Sequence, residues 1–177
     1  VPDDSTPDAS IPDATPDADV PDGGGDTIWS PTPGTTWFWQ LQGTVRTDRD
    51  VAMYDIDLFD TPAATIERLH ADGRIVICYF SAGSYEEWRP DARDFPRSAL
   101  GNNLDGWGGG CWVDGREAGV RAVMQARVDR AAERGCDGGE PDNVDGYGNR
   151  PGFDYGASGQ LDYNRFRARE AHARGLS

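Results

Sequence analysis

The chain has 177 residues, 37% of them hydrophobic, with 31 acidic residues against 17 basic ones and a formal net charge of −14. That length allows one domain with a sizeable core and hardly two, and the acidic balance argues against nucleic-acid binding. Every basic residue is arginine, which excludes chemistry built on a phosphate-loop lysine or a Schiff base, and no apolar run approaches the roughly 18 to 20 residues of a membrane span.

Residues 1–26 repeat a short unit, seen in Thr6-Pro7-Asp8-Ala9, Ile11-Pro12-Asp13-Ala14 and Thr15-Pro16-Asp17-Ala18, and run into Gly23-Gly24-Gly25. They hold eight acids and no base, which leaves 23 acids against 17 arginines in the rest of the chain. Such a segment buries too little apolar surface to offset its ordering entropy, and its like charges repel. It is expected to be a disordered Asp/Pro-rich linker ahead of a domain over residues 27–177. The first residue is Val, with neither a basic n-region nor an apolar h-region, so a targeting segment is expected to have been removed already. An acidic tether suits an exported protein, extracellular or held at a cell surface, and is compatible with a lipid anchor upstream.

Strand-like sequence begins at residues 37–41 and resumes at 51–59, where Asp55 and Asp57 fall on one face. Thr61-Pro62 is expected to cap and open a helix with Ile66 and Leu69 as its apolar stripe and Gly73 at its end. The near-continuous apolar run of residues 74–80 predicts a strand covered on both faces. An aromatic and acidic loop, residues 81–90, and a less regular stretch to Gly110 lead to a short strand around Cys111-Trp112-Val113-Asp114. The clearest helix covers residues 118–134, with Val120, Val123, Met124, Val128 and Ala131 at helical spacing and Gly135 after it. A last helix over about residues 158–174 ends before Gly175. Strands alternating with helices predict a parallel sheet, and the chain is expected to stop where a further strand would start.

Between the last two helices, Asp137, Glu140, Asp142 and Asp145 crowd into nine residues. Pro141 has no N–H for a ladder, so a strand is expected to end at Glu140 and leave the following acids where strand becomes loop, the rim at which α/β folds build sites. The alternative is a plain Asp/Asn/Gly turn that bonds its own backbone. The acid spacing does not match the alternate-residue pattern of a calcium loop. Cys78, Cys111 and Cys136 lie far apart without CxxC spacing, and only His70 and His172 could add nitrogen, which argues against structural zinc. Cys78 is expected to be a small buried hydrophobe. Cys111 with Cys136 is the favoured disulfide if the protein is exported, and the sequence leaves that pairing open.

Several motifs in order resemble glycoside hydrolase family 114, the endo-α-1,4-polygalactosaminidase-like family. They are Tyr54-Asp55-Ile56-Asp57-Leu58-Phe59-Asp60, Val76-Ile77-Cys78-Tyr79-Phe80-Ser81-Ala82-Gly83-Ser84, Glu86-Glu87-Trp88-Arg89-Pro90-Asp91, Gly135-Cys136-Asp137-Gly138 and Glu140-Pro141-Asp142-Asn143-Val144-Asp145-Gly146-Tyr147. The resemblance runs from about Trp37 to the last residue. It implies an α/β fold, about the first half of a (β/α)8 barrel, which as a whole needs about 250 residues, and hydrolysis of galactosamine-containing polysaccharide. The chain is expected to be a truncated part of such an enzyme, inactive by itself. The resemblance also implies a catalytic pair: an Asp that maps onto Asp142, and a Glu on a later strand, expected beyond Ser177. The family usually has an aliphatic residue at the positions of Gly115 and Gly139, so two strand positions are expected to have lost side chains.

Glycoside hydrolysis commonly needs two carboxyl groups facing the scissile bond, about 5 to 5.5 Å apart with retention and about 6.5 to 9.5 Å with inversion. Neighbours on one strand rarely face each other across a substrate. Asp142 is therefore expected to be nucleophile or charge stabiliser, with Glu140 and Asp145 tuning its pKa or holding substrate. Asp55, Asp57, Tyr79, Ser81 and Asp114, at or near strand ends, are candidates for binding sugar hydroxyls or amines; barrel packing for Tyr79 and turn capping for Asp57 are equally open. Trp88, Trp107 and Tyr147 are stacking candidates, although an aromatic near an apolar element is more often core. His70 and His172 are expected on helices away from the acidic rim, and Ser84 has neither a nucleophile elbow nor an obvious His partner. No cofactor or metal is required. The rival reading is a non-catalytic carbohydrate-binding module with the same acidic groove, and an amino-sugar polysaccharide is the expected partner. Limited proteolysis is expected to remove residues 1–26 without loss of fold; a fall of several degrees in the unfolding midpoint on their deletion would contradict the linker assignment.

Overall fold

The computed structural model describes residues 28–177, so the acidic repeat and the linker assigned to it lie outside the described residues. The elements in chain order are β1 (Trp37–Gln40), β2 (Met53–Asp57), α1 (Ala63–Ala71), β3 (Ile75–Ser81), β4 (Ser84–Glu86), β5 (Leu100–Asn103), β6 (Gly110–Val113), α2 (Ala118–Glu133), β7 (Gly138–Asp142) and α3 (Ala157–His172). Strands β1, β2, β3 and β7 form one parallel sheet in that order. With helices on its outer face, the sheet is an arc of a (β/α)8 barrel.

Alternation along the strands decides what each face carries. Tyr54, Ile56, Val76, Cys78 and Phe80 turn outward and are buried, joined in one core by Ile66 and Leu69 of α1 and by Val120, Met124 and Val128 of α2. Complete burial of such a side chain contributes about 1.5–3 kcal/mol, so this layer holds the arc together. The opposite face carries rows set by the register: Trp39, Asp55 and Ile77, then Asp57, Tyr79 and Glu140, then Ser81 and Asp142 at the rim. The three helices give way to Gly73, Gly135 and Gly175, whose φ angles of 72°, 80° and 73° suit residues without a Cβ. At the start of α1, Pro62 rather than Thr61 is the cap residue, with no side-chain cap bond; Thr61 is buried instead.

The strand at 111–114 does not join the parallel sheet. Strands β4, β6 and β5 form a separate antiparallel sheet in that order. Only Ala82 and Gly83 separate β3 from β4, too short for a parallel crossover, so the chain folds back on itself before α2 begins. Gly115 follows this excursion and lies outside the strands; a Cβ there would come within 2.5 Å of the Tyr163 ring. Its missing side chain is therefore a condition for packing α3 rather than a gap in the barrel wall. Gly139 does lie in β7, on the outer face, where a Cβ would meet Phe80 at 3.4 Å.

Strand β7 continues through Pro141 to Asp142, against the expectation that it ends at Glu140. The Gly139 N–H donates to the Ser177 carbonyl at 3.0 Å, away from β3, and two residues on the Pro141 nitrogen points to the same side. The ladder with β3 thus loses nothing to the proline. The disulfide also differs from the favoured one: Cys78 pairs with Cys136, with Cα atoms 6.0 Å apart, and Cys111 is free. Cys78 faces outward from β3 and Cys136 enters β7 beside it, whereas Cys111 belongs to the antiparallel sheet. No described helix is long and apolar enough to cross a membrane. Replacing both Cys78 and Cys136 is expected to lower stability by up to about 4 kcal/mol in denaturant unfolding, the chain-entropy value for the separation of 58 residues; a Cys111-containing cross-linked peptide in non-reducing digests would contradict the pairing.

Candidate active site

Asp142 ends β7 at the rim, in register with Ser81 of β3. Tyr79 Oη donates to its Oδ2 at 3.1 Å, the Asn143 backbone N–H to its Oδ1 at 2.7 Å, and Asn143 Nδ2 to Oδ2 at 3.3 Å. Burial, followed by the charges of Asp142 and Glu86, raises the Tyr79 pKa, so its hydroxyl remains a donor. Asn143 is held for this task. Its φ of 60° is the one positive value among described non-glycine residues, and its Nδ2 also donates to Ser81 Oγ at 2.9 Å. Gly83 makes the arrangement possible, because a Cβ there would sit 1.6 Å from the Asn143 carbonyl oxygen.

Arg89 organises the neighbouring acids. Its Nη2 and Nη1 donate to Asp57 Oδ2 and Oδ1 at 2.6 and 3.0 Å, and its Nε donates to Glu86 Oε2 at 3.0 Å. Arg89 is 7% exposed, and its guanidinium lies 5.0 Å from the Phe59 ring centroid. Burial works against its charge, and Asp57 and Glu86 outweigh burial to raise its pKa. Burial raises the Glu86 pKa although Arg89 opposes it. Asp57 Oδ1 additionally accepts from the backbone N–H groups of Phe59 and Asp60, both at 2.8 Å, so it caps the turn as well as pairing with Arg89.

Above these groups runs a cleft of about 550 Å³ lined by Trp39, Asp57, Tyr79, Glu86, Trp88 and Asp142. Trp107 also lines it, and with Leu104 and Asn143 it borders a second, polar cleft of about 750 Å³ towards Asp145 and Asn149. Trp39, Trp88 and Trp107 are 57%, 49% and 58% exposed, so these aromatic faces are open rather than part of the core. An apolar cavity lies elsewhere, between α2, α3 and the outer face of β7.

An acidic, tryptophan-lined cleft at the carboxyl ends of parallel barrel strands is a setting for carbohydrate chemistry. The family model for glycoside-hydrolase family GH114 matches residues 21–177. The chain belongs to family GH114. Among solved structures it is similar to Aspergillus fumigatus Ega3 in complex with galactosamine, at 45% identity and a TM-score of 0.83, covering 88% of this chain and 62% of that one. The glycoside hydrolase domain of PelA from Pseudomonas aeruginosa shares the fold at 13% identity and a TM-score of 0.59, over 80% of this chain and 56% of that one. Eubacterium rectale Amy13B matches 71% of this chain and 35% of its own at 13% identity, with a TM-score of 0.53. The chain thus spans somewhat under two thirds of the Ega3 chain. No curated protein sequence matches it.

The residues singled out from sequence fall into three groups. Asp142, Tyr79 and Asp57 meet at the first cleft, and Asp145 lies on the second. Asp55 and Glu140 face inward, deeper than Asp142. Ser81 and Asp114 are not offered to a ligand in the cleft: Ser81 is fully buried and bonded to Ser84 and Asn143, and Asp114 is occupied by Arg116 at 2.8 and 2.6 Å, which lowers its pKa. His70 bonds Asp137 at 2.9 Å at the opposite end of the sheet. Sequence alone gives Arg89, Glu86, Trp39 and Asn143 no role; the motif Glu86-Glu87-Trp88-Arg89 is the available signal for the first two. Arg89→Ala is expected to destabilise the chain by about 3–5 kcal/mol in denaturant unfolding, because it leaves two buried carboxylates unpaired; a loss below about 1 kcal/mol, the value of an exposed pair, would show that Arg89 does not organise the rim.

Proposed function

We propose that the chain carries the acidic face and one catalytic carboxylate of a glycoside hydrolase acting on α-1,4-linked galactosamine-containing polysaccharide. The observation that carries this reading is Asp142: a carboxylate at a strand end, oriented by Tyr79 and Asn143, beneath a cleft bordered by exposed tryptophans. That the similar Ega3 was solved with galactosamine supports the substrate class.

Three donors fix the orientation of the Asp142 carboxylate, as suits a nucleophile or a stabiliser of an oxocarbenium-like transition state. Asp57 and Glu86 are committed to Arg89, and Asp145 lines the other cleft. We therefore assign the proton donor to a glutamate of a later barrel strand, in keeping with the family resemblance. Trp39, Trp88 and Trp107 offer flat apolar faces to sugar rings, and the acids draw a cationic amino-sugar polymer into the cleft. The Cys78–Cys136 disulfide supports an oxidising compartment and hence export. A binding module without catalysis would use the same cleft, and kinetics separates the two. In the full-length protein, Asp142→Asn is expected to lower kcat on polygalactosamine by at least about a thousandfold with little change in substrate binding. Binding of the de-acetylated polymer is expected to weaken with added salt. Absence of turnover in the unaltered full-length protein, with binding retained, would establish the binding module instead.

A further inference from the structure

Beneath Asp142, two more carboxyl groups meet on the inner face, and neither is ion-paired among the described residues. Asp55, 5% exposed, and Glu140 come from the strands on either side of β3. Two strand spacings and a stagger of two residues put their backbones about 12 Å apart, and the carboxyl groups come within hydrogen-bonding reach of each other. Each group has a buried oxygen, Oδ1 of Asp55 and Oε2 of Glu140, with no hydrogen-bond partner among the described residues. Carboxylates only accept, so two ionised groups here would repel and leave both oxygens unsatisfied. One proton removes both costs, since a carboxylic acid donates to the carboxylate beside it.

We propose that Asp55 and Glu140 share one proton and act as a single-charge unit beneath Asp142. Burial decides which group keeps the proton. It pushes the Asp55 pKa up to about 8, assisted by the hydrogen bond and charge of Glu140. Burial also raises Glu140, while hydrogen bonds from Asp55 and the Trp39 indole favour its charged form and the Asp142 charge opposes it. Around the pair stand Asp57 on β2, Tyr79 on β3, Asp142 on β7 and the Glu86–Arg89 pair. Arg89 compensates Asp57 and Glu86, and burial keeps Tyr79 neutral. Burial thus places the change of charge at Asp55 just above neutrality.

The folded chain binds a proton at Asp55 that the unfolded chain releases at the ordinary value of 3.8. The stability from this group is complete below that value and is lost as pH rises to about 8. In the full chain, infrared spectroscopy at neutral pH is expected to show a buried protonated carboxyl whose band disappears above about pH 9; its absence from the unaltered protein overturns the shared proton. Asp55→Asn keeps a donor to Glu140 and is expected to flatten the fall of Tm between about pH 4 and 8, and an unchanged slope overturns the inference. Both readouts stand whether or not the protein hydrolyses polygalactosamine, so they separate this proposal from the assignment of Asp142.

Discussion

The buried guanidinium of Arg89 is the interaction on which the rim depends. It lies in the loop after β4, yet its partners are Asp57 at the end of β2 and Glu86 within β4. It therefore ties the antiparallel excursion to the parallel sheet. A buried pair of this kind gains little net stability over apolar packing, but loss of one member leaves uncompensated charge. Its value is geometric: three side chains from separate elements are held in one arrangement, and the acids left free to act are those that Arg89 does not reach.

Those free acids are graded by depth. Parallel pairing places Asp142 at the rim, Glu140 one row beneath and Asp55 in the row below that. Depth controls solvation, and solvation controls charge. At the rim, hydrogen-bond donors surround Asp142; further down, Asp55 has only another carboxyl to meet. One sheet face thus carries an acid oriented by donors at the rim and an acid that burial makes keep its proton, a division that lets carboxyl groups do different work in one site.

Two close approaches make the rim compact. Gly83 lets the turn after β3 pass against Asn143, and Gly115 lets the Tyr163 ring of α3 press against the end of the excursion. Tyr163 Oη then donates to the Ala82 carbonyl at 2.7 Å, so α3 braces the same turn from outside. The disulfide draws the middle of β3 to the entry of β7 and limits sliding of the two strands that carry Tyr79, Glu140 and Asp142. The site is thereby supported from both the core side and the excursion.

Local sequence was enough for the parallel arc, its helices and their glycine ends, because apolar periodicity and turn residues act within a few residues of each other. The motif Glu140-Pro141-Asp142-Asn143 likewise placed the acids at a strand end. Tertiary structure alone decided which of them work together. Trp88 and Trp107 follow no core period, and only the folding back of β4, β5 and β6 shows that they border the cleft instead of the core. The pairing of Cys78 with Cys136, the passage of β7 through Pro141, the bonding of Asp114 to Arg116 and the meeting of Asp55 with Glu140 all depend on which faces and edges neighbouring elements present. Such choices are set by contacts between residues far apart in the chain, and one-dimensional patterns carry no information on distance across a sheet.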